Sequence, residues 1–335
     1  MLIELLVTVA LGLHLMCVNV ASAGPMICLW LEWRDGRGDS LARETGVVLS
    51  SASLVTLVLG VAFGLAVGLL LWDDAYATVL QRFPSRIGYG LVELGFSAVL
   101  VACHAIWWKY QQRTGALLRG IRYLLLFAAG TNLLYHFPFL FVLIANVANS
   151  GDTARDVLDG EFVNMISAGP VLARVTHFIL AAFAVSGVLL IGFALRLRRS
   201  GREDDAQRVA IWGGRIALAP TLLQLLVGLW VTFTLSPIAI RRLMGGDLLA
   251  TALLISSLLA ALWLMHKLAS ISFGDVSQKN LIGAICLMVA VVLLMTGVLR
   301  ASQQRAPGLH PRAAARLAQP PSAASRPPQT SLNSA

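Results

Sequence analysis

The chain has 335 residues, of which 57% are hydrophobic and 13% charged, and its mean hydropathy is +0.76. A soluble domain carries about 25% charged residues, so the composition excludes a soluble globular protein and predicts an all-α, polytopic transmembrane helix bundle. The formal net charge of +9 is spread over short loops and a tail, which excludes a nucleic-acid-binding patch.

A helix needs about 20 apolar residues to cross the hydrocarbon. By that ruler eight spans are predicted, over 4–31, 47–72, 87–108, 121–148, 170–195, 210–236, 244–267 and 280–299. The first 24 residues mimic a signal peptide, with Ala21-Ser22-Ala23 as a small-residue cleavage site. The start lacks Lys and Arg, however, and the apolar run continues to Trp30, so a retained first helix is expected. Lys and Arg concentrate in the loops after spans 1, 3 and 5, with Arg34, Arg37 and Arg43, then Lys109, Arg113, Arg119 and Arg122, then Arg196 to Arg215. The positive-inside rule therefore places those loops in the cytoplasm and the N-terminus outside. Trp30, Trp33, Trp107, Trp108 and Trp212 sit where interfacial anchors belong.

Span 2 carries Gly60, Gly64 and Gly68 at four-residue spacing. Such a smooth face suits close helix packing and equally suits a flat macrocycle. The four cysteines, Cys17, Cys28, Cys103 and Cys286, lie in apolar spans with no CxxC spacing, which predicts small core residues. His136 precedes Pro138 by two residues, at a predicted kink. From residue 301 the chain is rich in Pro, Ala, Ser, Gln and Arg without apolar periodicity. The domain reading is thus a helix bundle over 1–300 and a disordered tail over 301–335.

A polar group at membrane depth is a functional candidate by default. Counted at about 1.5 Å per residue, His14 lies roughly 15 Å, Glu93 roughly 9 Å and His177 roughly 10 Å from the outer face. Met244 stands at the outer mouth of span 7, next to Arg242. All four helices run from outside to inside, so these groups share the outer half of the bilayer. Histidine with methionine is one of the few pairs that hold a low-spin haem iron. His104 and His266 fall towards the inner ends of their spans and read as structural, as does His136.

These residues, in their order, resemble subunit I of the cytochrome bd quinol oxidases. The resemblance is carried by LHLMCVNVASAGPMICLWLEWR (Leu13–Arg34), by GVAFG (Gly60–Gly64) followed by GYGLVELGFSAVL (Gly88–Leu100), by IANVANSG followed by FVNMISAGPVLARVTHFILAAF, and by RRLMGG (Arg241–Gly246). It covers residues 1–265 with one large deletion. It implies a haem b held by His177 and Met244 with Arg242 beside it, and a second haem, b or d, at His14 and Glu93. It also implies the inner (cytoplasmic) membrane, a second membrane subunit or an electron-donor protein as partner, and oxidoreductase activity in a respiratory chain.

The departures are as informative. The family's long quinol loop is replaced by the short link LSPIAIRR, its second carboxylate on the third helix corresponds to Val101, and its GRQPW segment is missing. The expected function is accordingly a membrane haem protein of electron transfer. A terminal oxidase fed by a non-quinol donor is the second reading, and a non-redox scaffold or transporter the third.

Overall fold

In the computed structural model, residues 2–72, 74–110, 115–150 and 159–303 are described. All regular structure among them is helical, and eight segments are long and apolar enough to cross a membrane. The helices are α1 (Leu2–Asp35), α2 (Ser40–Leu70), the short α3 (Asp74–Gln81), α4 (Pro84–Tyr110), α5 (Ala116–Thr131), α6 (Phe137–Ser150), α7 (Asp159–Ile166), α8 (Gly169–Arg199), α9 (Glu203–Phe233), α10 (Pro237–Arg241), α11 (Leu248–Ser272) and α12 (Gln278–Gln303). Of the tail, residues 304–335 lie outside the described residues.

The eight predicted crossings are present, with bounds moved for identifiable reasons. Crossing 2 begins at Ser40 because Asp39 caps it, accepting a hydrogen bond from the N–H of Ala42. The sixth begins at Glu203 because three acidic residues fill its first turn, where the helix dipole favours them. The seventh starts only at Leu248, since Asp247 caps it and Gly245 (φ 108) interrupts the chain before it. The fourth is two helices, α5 and α6, joined by a π-turn over Asn132–His136, where the kink was predicted. A second π-turn, over Arg242–Gly246, leads into α11.

In lipid, helices associate through close packing of small residues rather than through the hydrophobic effect. The α8–α9 pair shows this most clearly. A Cβ on Gly187 would lie 2.7 Å from both Ala217 N and Gly213 O, and one on Gly213 would lie 2.5 Å from Gly187 O. The turn between these helices is a Schellman motif, in which the N–H of Arg202 donates to Leu197 O at 3.1 Å and that of Gly201 (φ 81) to Arg198 O at 3.0 Å. The turns at Gly38 and Gly274 repeat the pattern. The main core is built from α1, α2, α8 and α9, with contributions from α4, α5, α11 and α12. Helix α12 leans on α1 through Leu293 against Gly12 and an ion pair between Arg300 and Glu4.

The turns after crossings 1 and 5 are tied together by charge at the arginine-rich face. Arg202 grips Glu44 with two hydrogen bonds of 2.7 Å, and Asp39 accepts from Arg34 at 2.8 Å and from Arg208 at 2.9 Å. The carboxylates of Glu44 and Asp205 hold the Arg202 proton more tightly than usual. Burial by itself would raise the Asp39 carboxyl, but the hydrogen bond from Arg34, the charge of Arg208 and the N–H of Ala42 outweigh it and hold it below the usual range. The ionised Asp39 therefore stabilises the fold above its unfolded value of about 3.9. That contribution is lost as pH falls through the lower, folded value. Thermal unfolding in detergent from pH 6 to about pH 3 is expected to show Asp39→Asn starting less stable than the parent and losing less on acidification.

Three placements differ from the sequence reading. Of the four cysteines, Cys28 is buried, Cys17 is partly exposed, and Cys103 and Cys286 are exposed, so the latter two point out of the bundle. Trp108 is fully buried, not an interfacial anchor. Arg122, counted above as a loop cation, is 2% exposed.

Candidate functional site

His14 lies on α1, in the half of the bundle away from the arginine-rich turns. Its Nδ1 is 2.7 Å from the backbone oxygen of Gly60 on α2. A carbonyl only accepts, so Nδ1 carries the proton and Nε2 of the neutral ring keeps its lone pair. Metal-ligating histidines are oriented in the same way. The ring fits because Gly64 has no side chain: a Cβ there would lie 2.8 Å from Cε1 and 3.0 Å from Nδ1 of His14. Gly60 packs on Val18 and Cys17, and Gly68 faces open space. The glycine face thus packs closely on α1, as predicted, and makes room for the His14 ring. Gly64→Ala is expected to cost about 1–3 kcal/mol by crowding the imidazole, while Gly68→Ala is near neutral; thermal unfolding of the two variants compares them.

Glu93 sits on α4, and its Oε1 is 3.0 Å from Nδ1 of His136. The π-turn that carries His136 also presents Asn132, whose Nδ2 donates to Glu93 O at 2.9 Å and to Ser97 Oγ at 2.7 Å. π-turns of this kind recur at functional sites. The side chains of Glu93 and His136 are 38% and 52% exposed. An ionisable pair on the outside of an apolar span is not satisfied by lipid alone. His14 and Glu93 have separate partners, and no hydrogen bond or ion pair joins them among the described residues.

His177 lies on α8, and its Nδ1 is buried with no hydrogen-bond partner among the described residues. One turn earlier Arg174 donates to Asn146 Oδ1 on α6 at 2.7 Å. Met244 stands in the second π-turn with non-helical backbone (φ −103, ψ 35). The hydroxyl of Thr251 steadies that turn, accepting from Gly245 N at 3.0 Å and lying 3.2 Å from Arg242 O. Met244 is 63% exposed and Arg242 is partly exposed. Helix α9 packs against both α8 and α11, and its C-terminal half is lined with exposed Leu222, Leu226, Leu229 and Phe233. The imidazole is therefore in the interior and the thioether at the surface of this part of the bundle.

The sequence reading missed a second constellation, at the arginine-rich end. Glu32 of α1, His104 of α4 and Arg122 of α5 are 1%, 0% and 2% exposed. Glu32 Oε2 is 3.1 Å from His104 Nε2, and its Oε1 is 2.6 Å from Arg122 Nε. Ser50 Oγ on α2 lies 3.0 Å from His104 Nδ1. The available signal was spacing: Ser97, Val101, His104 and Trp108 recur at helical intervals and form the buried stripe of α4. No group of three or more His, Cys, Asp and Glu able to hold a bare metal ion occurs among the described residues. A porphyrin supplies four ligands itself and needs only one or two protein groups.

No family model matches the sequence, and no curated protein matches it. Among solved structures, the chain is similar to the bd oxidase from Geobacillus thermodenitrificans, with a TM-score of 0.67 and 14% identity over 90% of this chain and 84% of that one. At that identity the likeness establishes the fold alone. The chain is a multi-pass membrane protein with the fold of a bd oxidase chain.

Proposed function

We propose that the protein is an inner-membrane haem protein of respiratory electron transfer, its N-terminus outside, with His177 and Met244 as the axial pair of a low-spin haem b and His14 as ligand of a second haem, b or d. The observation that carries the reading is the seat of His14, where a carbonyl fixes the tautomer and a missing side chain makes room for the ring. His177 fits as well, because a buried imidazole nitrogen without a partner is costly and an iron ligand resolves that cost. A bound haem would supply a one-electron Fe(III)/Fe(II) couple, whose potential is raised by a thioether ligand.

The residues of the chain do the rest. Gly60 orients the His14 ring, and the π-turn of Arg242–Gly246 presents Met244 and Arg242 together, the arginine on the side where a propionate would lie. The Glu93–His136 pair favours a protein partner, a second membrane subunit or an electron donor, at the face of α4 and α6.

The test is a dithionite-reduced minus oxidised absorption spectrum of protein purified in detergent after expression with ample haem. A low-spin haem b α-band that disappears in both His177→Ala and Met244→Ala supports the axial pair. A band that survives Met244→Ala but not His177→Ala replaces the methionine with another ligand. Loss of a second component in His14→Ala, and its response to carbon monoxide, decides between electron transfer and oxygen chemistry. No haem in the parent protein leaves the scaffold reading.

A further inference from the structure

The Glu32–His104–Arg122 cluster is not used by the function proposed above, and it is unusual for membrane interior. Ionisable groups buried in a span are costly, and a buried ion pair can usually be exchanged for apolar side chains without loss. Stability alone therefore gives no reason for this one. A glutamate and an arginine already neutralise each other. The histidine adds a third ionisable member whose two ring nitrogens are both engaged, Nε2 by Glu32 and Nδ1 by Ser50.

We infer that this cluster is a proton-binding site that loads and unloads one proton through the arginine-rich face. Arg122 keeps its charge throughout. With Glu32 ionised and His104 neutral, the Nε2–H donates to Glu32 Oε2, and Nδ1 accepts the hydroxyl proton of Ser50. The cluster is then electrically neutral. An incoming proton binds at Nδ1, the Ser50 hydroxyl turns round to accept from it, and the cluster becomes a cation with Glu32 between two positive groups. Release reverses the same steps. No heavy atom has to move, because a hydroxyl is donor or acceptor according to its rotation.

Asp35, one helical turn beyond Glu32 on α1, accepts a hydrogen bond from Trp108 Nε1 at 3.2 Å and lies 3.7 Å from Arg43 Nη1. Asp35 and Arg43 line a surface depression of about 270 Å³ together with Gly38 and Ser40. The Trp108 ring lies edge-on to His104 with centroids 5.0 Å apart, so the indole that donates to Asp35 also touches the imidazole. The other titratable groups facing Glu32 are Cys28 on α1 and Tyr123 on α5; Arg119 of α5 stands beside Gly36 at the rim.

The experiment uses the full chain in lipid nanodiscs with ring-¹⁵N-labelled histidine, because the ring shifts distinguish both neutral tautomers from imidazolium. The His104 resonances are assigned by their shift in Ser50→Ala, which removes the Nδ1 partner while leaving the ion pair. The expected result is conversion of His104 from the Nε2–H tautomer to imidazolium, one proton per chain, as pH is taken from about 9 to about 5. A ring that stays neutral, or stays doubly protonated, over that range overturns the proposal and leaves a fixed ionic lock. The readout is the ring itself, so a protein that proves to contain no haem sinks the proposed function without touching this result.

Discussion

Glu32→Gln is expected to destabilise the protein by about 3–5 kcal/mol, the cost of leaving one partner of a buried ion pair uncompensated. Arg122 is 2% exposed and reaches Glu32 at 2.6 Å. Removing the carboxylate charge strands a guanidinium that cannot deprotonate in surroundings that cannot solvate it. Arg122→Met should be comparably harmful, because it strands Glu32 instead. The combined variant Glu32→Leu with Arg122→Met removes both charges and is expected to recover most of the loss, since apolar replacement of a whole pair is close to neutral. Thermal unfolding in detergent, followed by the fluorescence of Trp108 against His104, measures all three. Equal stability of Glu32→Gln and the parent would show that the pair is not buried in the membrane-embedded protein.

Gly213→Ala is the second change expected to act strongly, through packing rather than charge. Its Cβ would lie 2.5 Å from Gly187 O and 3.0 Å from Ile191 N. Both are backbone atoms within a helix, so no side-chain rotation relieves the overlap and α8 must separate from α9. Overpacking of this kind costs about 1–3 kcal/mol and sometimes more. Because α8 carries His177, the same displacement should weaken any group held there. Gly228→Ala on the same helix is the control: nothing lies within 4 Å of the added carbon, and the better helix propensity is worth up to about 1 kcal/mol. Comparable melting temperatures for the two alanine variants would mean that α8 and α9 do not cross at Gly187 and Gly213.

Parts of the candidate site were legible from residue type and spacing. His14 and the glycines at positions 60 and 64 stood out because a polar ring and a bare helix face are both rare in a span, and the structure brings them into contact. Glu93 stood out for the same reason, but its partner His136 did not. A histidine two residues before Pro138 reads as part of a kink, and only the π-turn shows that it points back at α4. For His177 and Met244 the sequence supplied plausible ligand types; the contrast between a buried imidazole nitrogen and an exposed thioether belongs to the fold.

The sequence by itself determined the number and order of the crossings. Lipid offers the backbone no hydrogen bonds, so each crossing must be a self-satisfied helix of about 20 apolar residues, and such runs are read directly. It also marked which end of the bundle carries the arginines. Only the tertiary structure decided which side of each helix faces its neighbours. A lipid-facing surface is as apolar as a buried one, so Cys103 and Cys28, or Trp33 and Trp108, look alike along the chain and end up outside and inside. For the same reason Arg122 counts as one more loop cation until α1 and α4 are packed against α5 with Glu32 and His104 already in place.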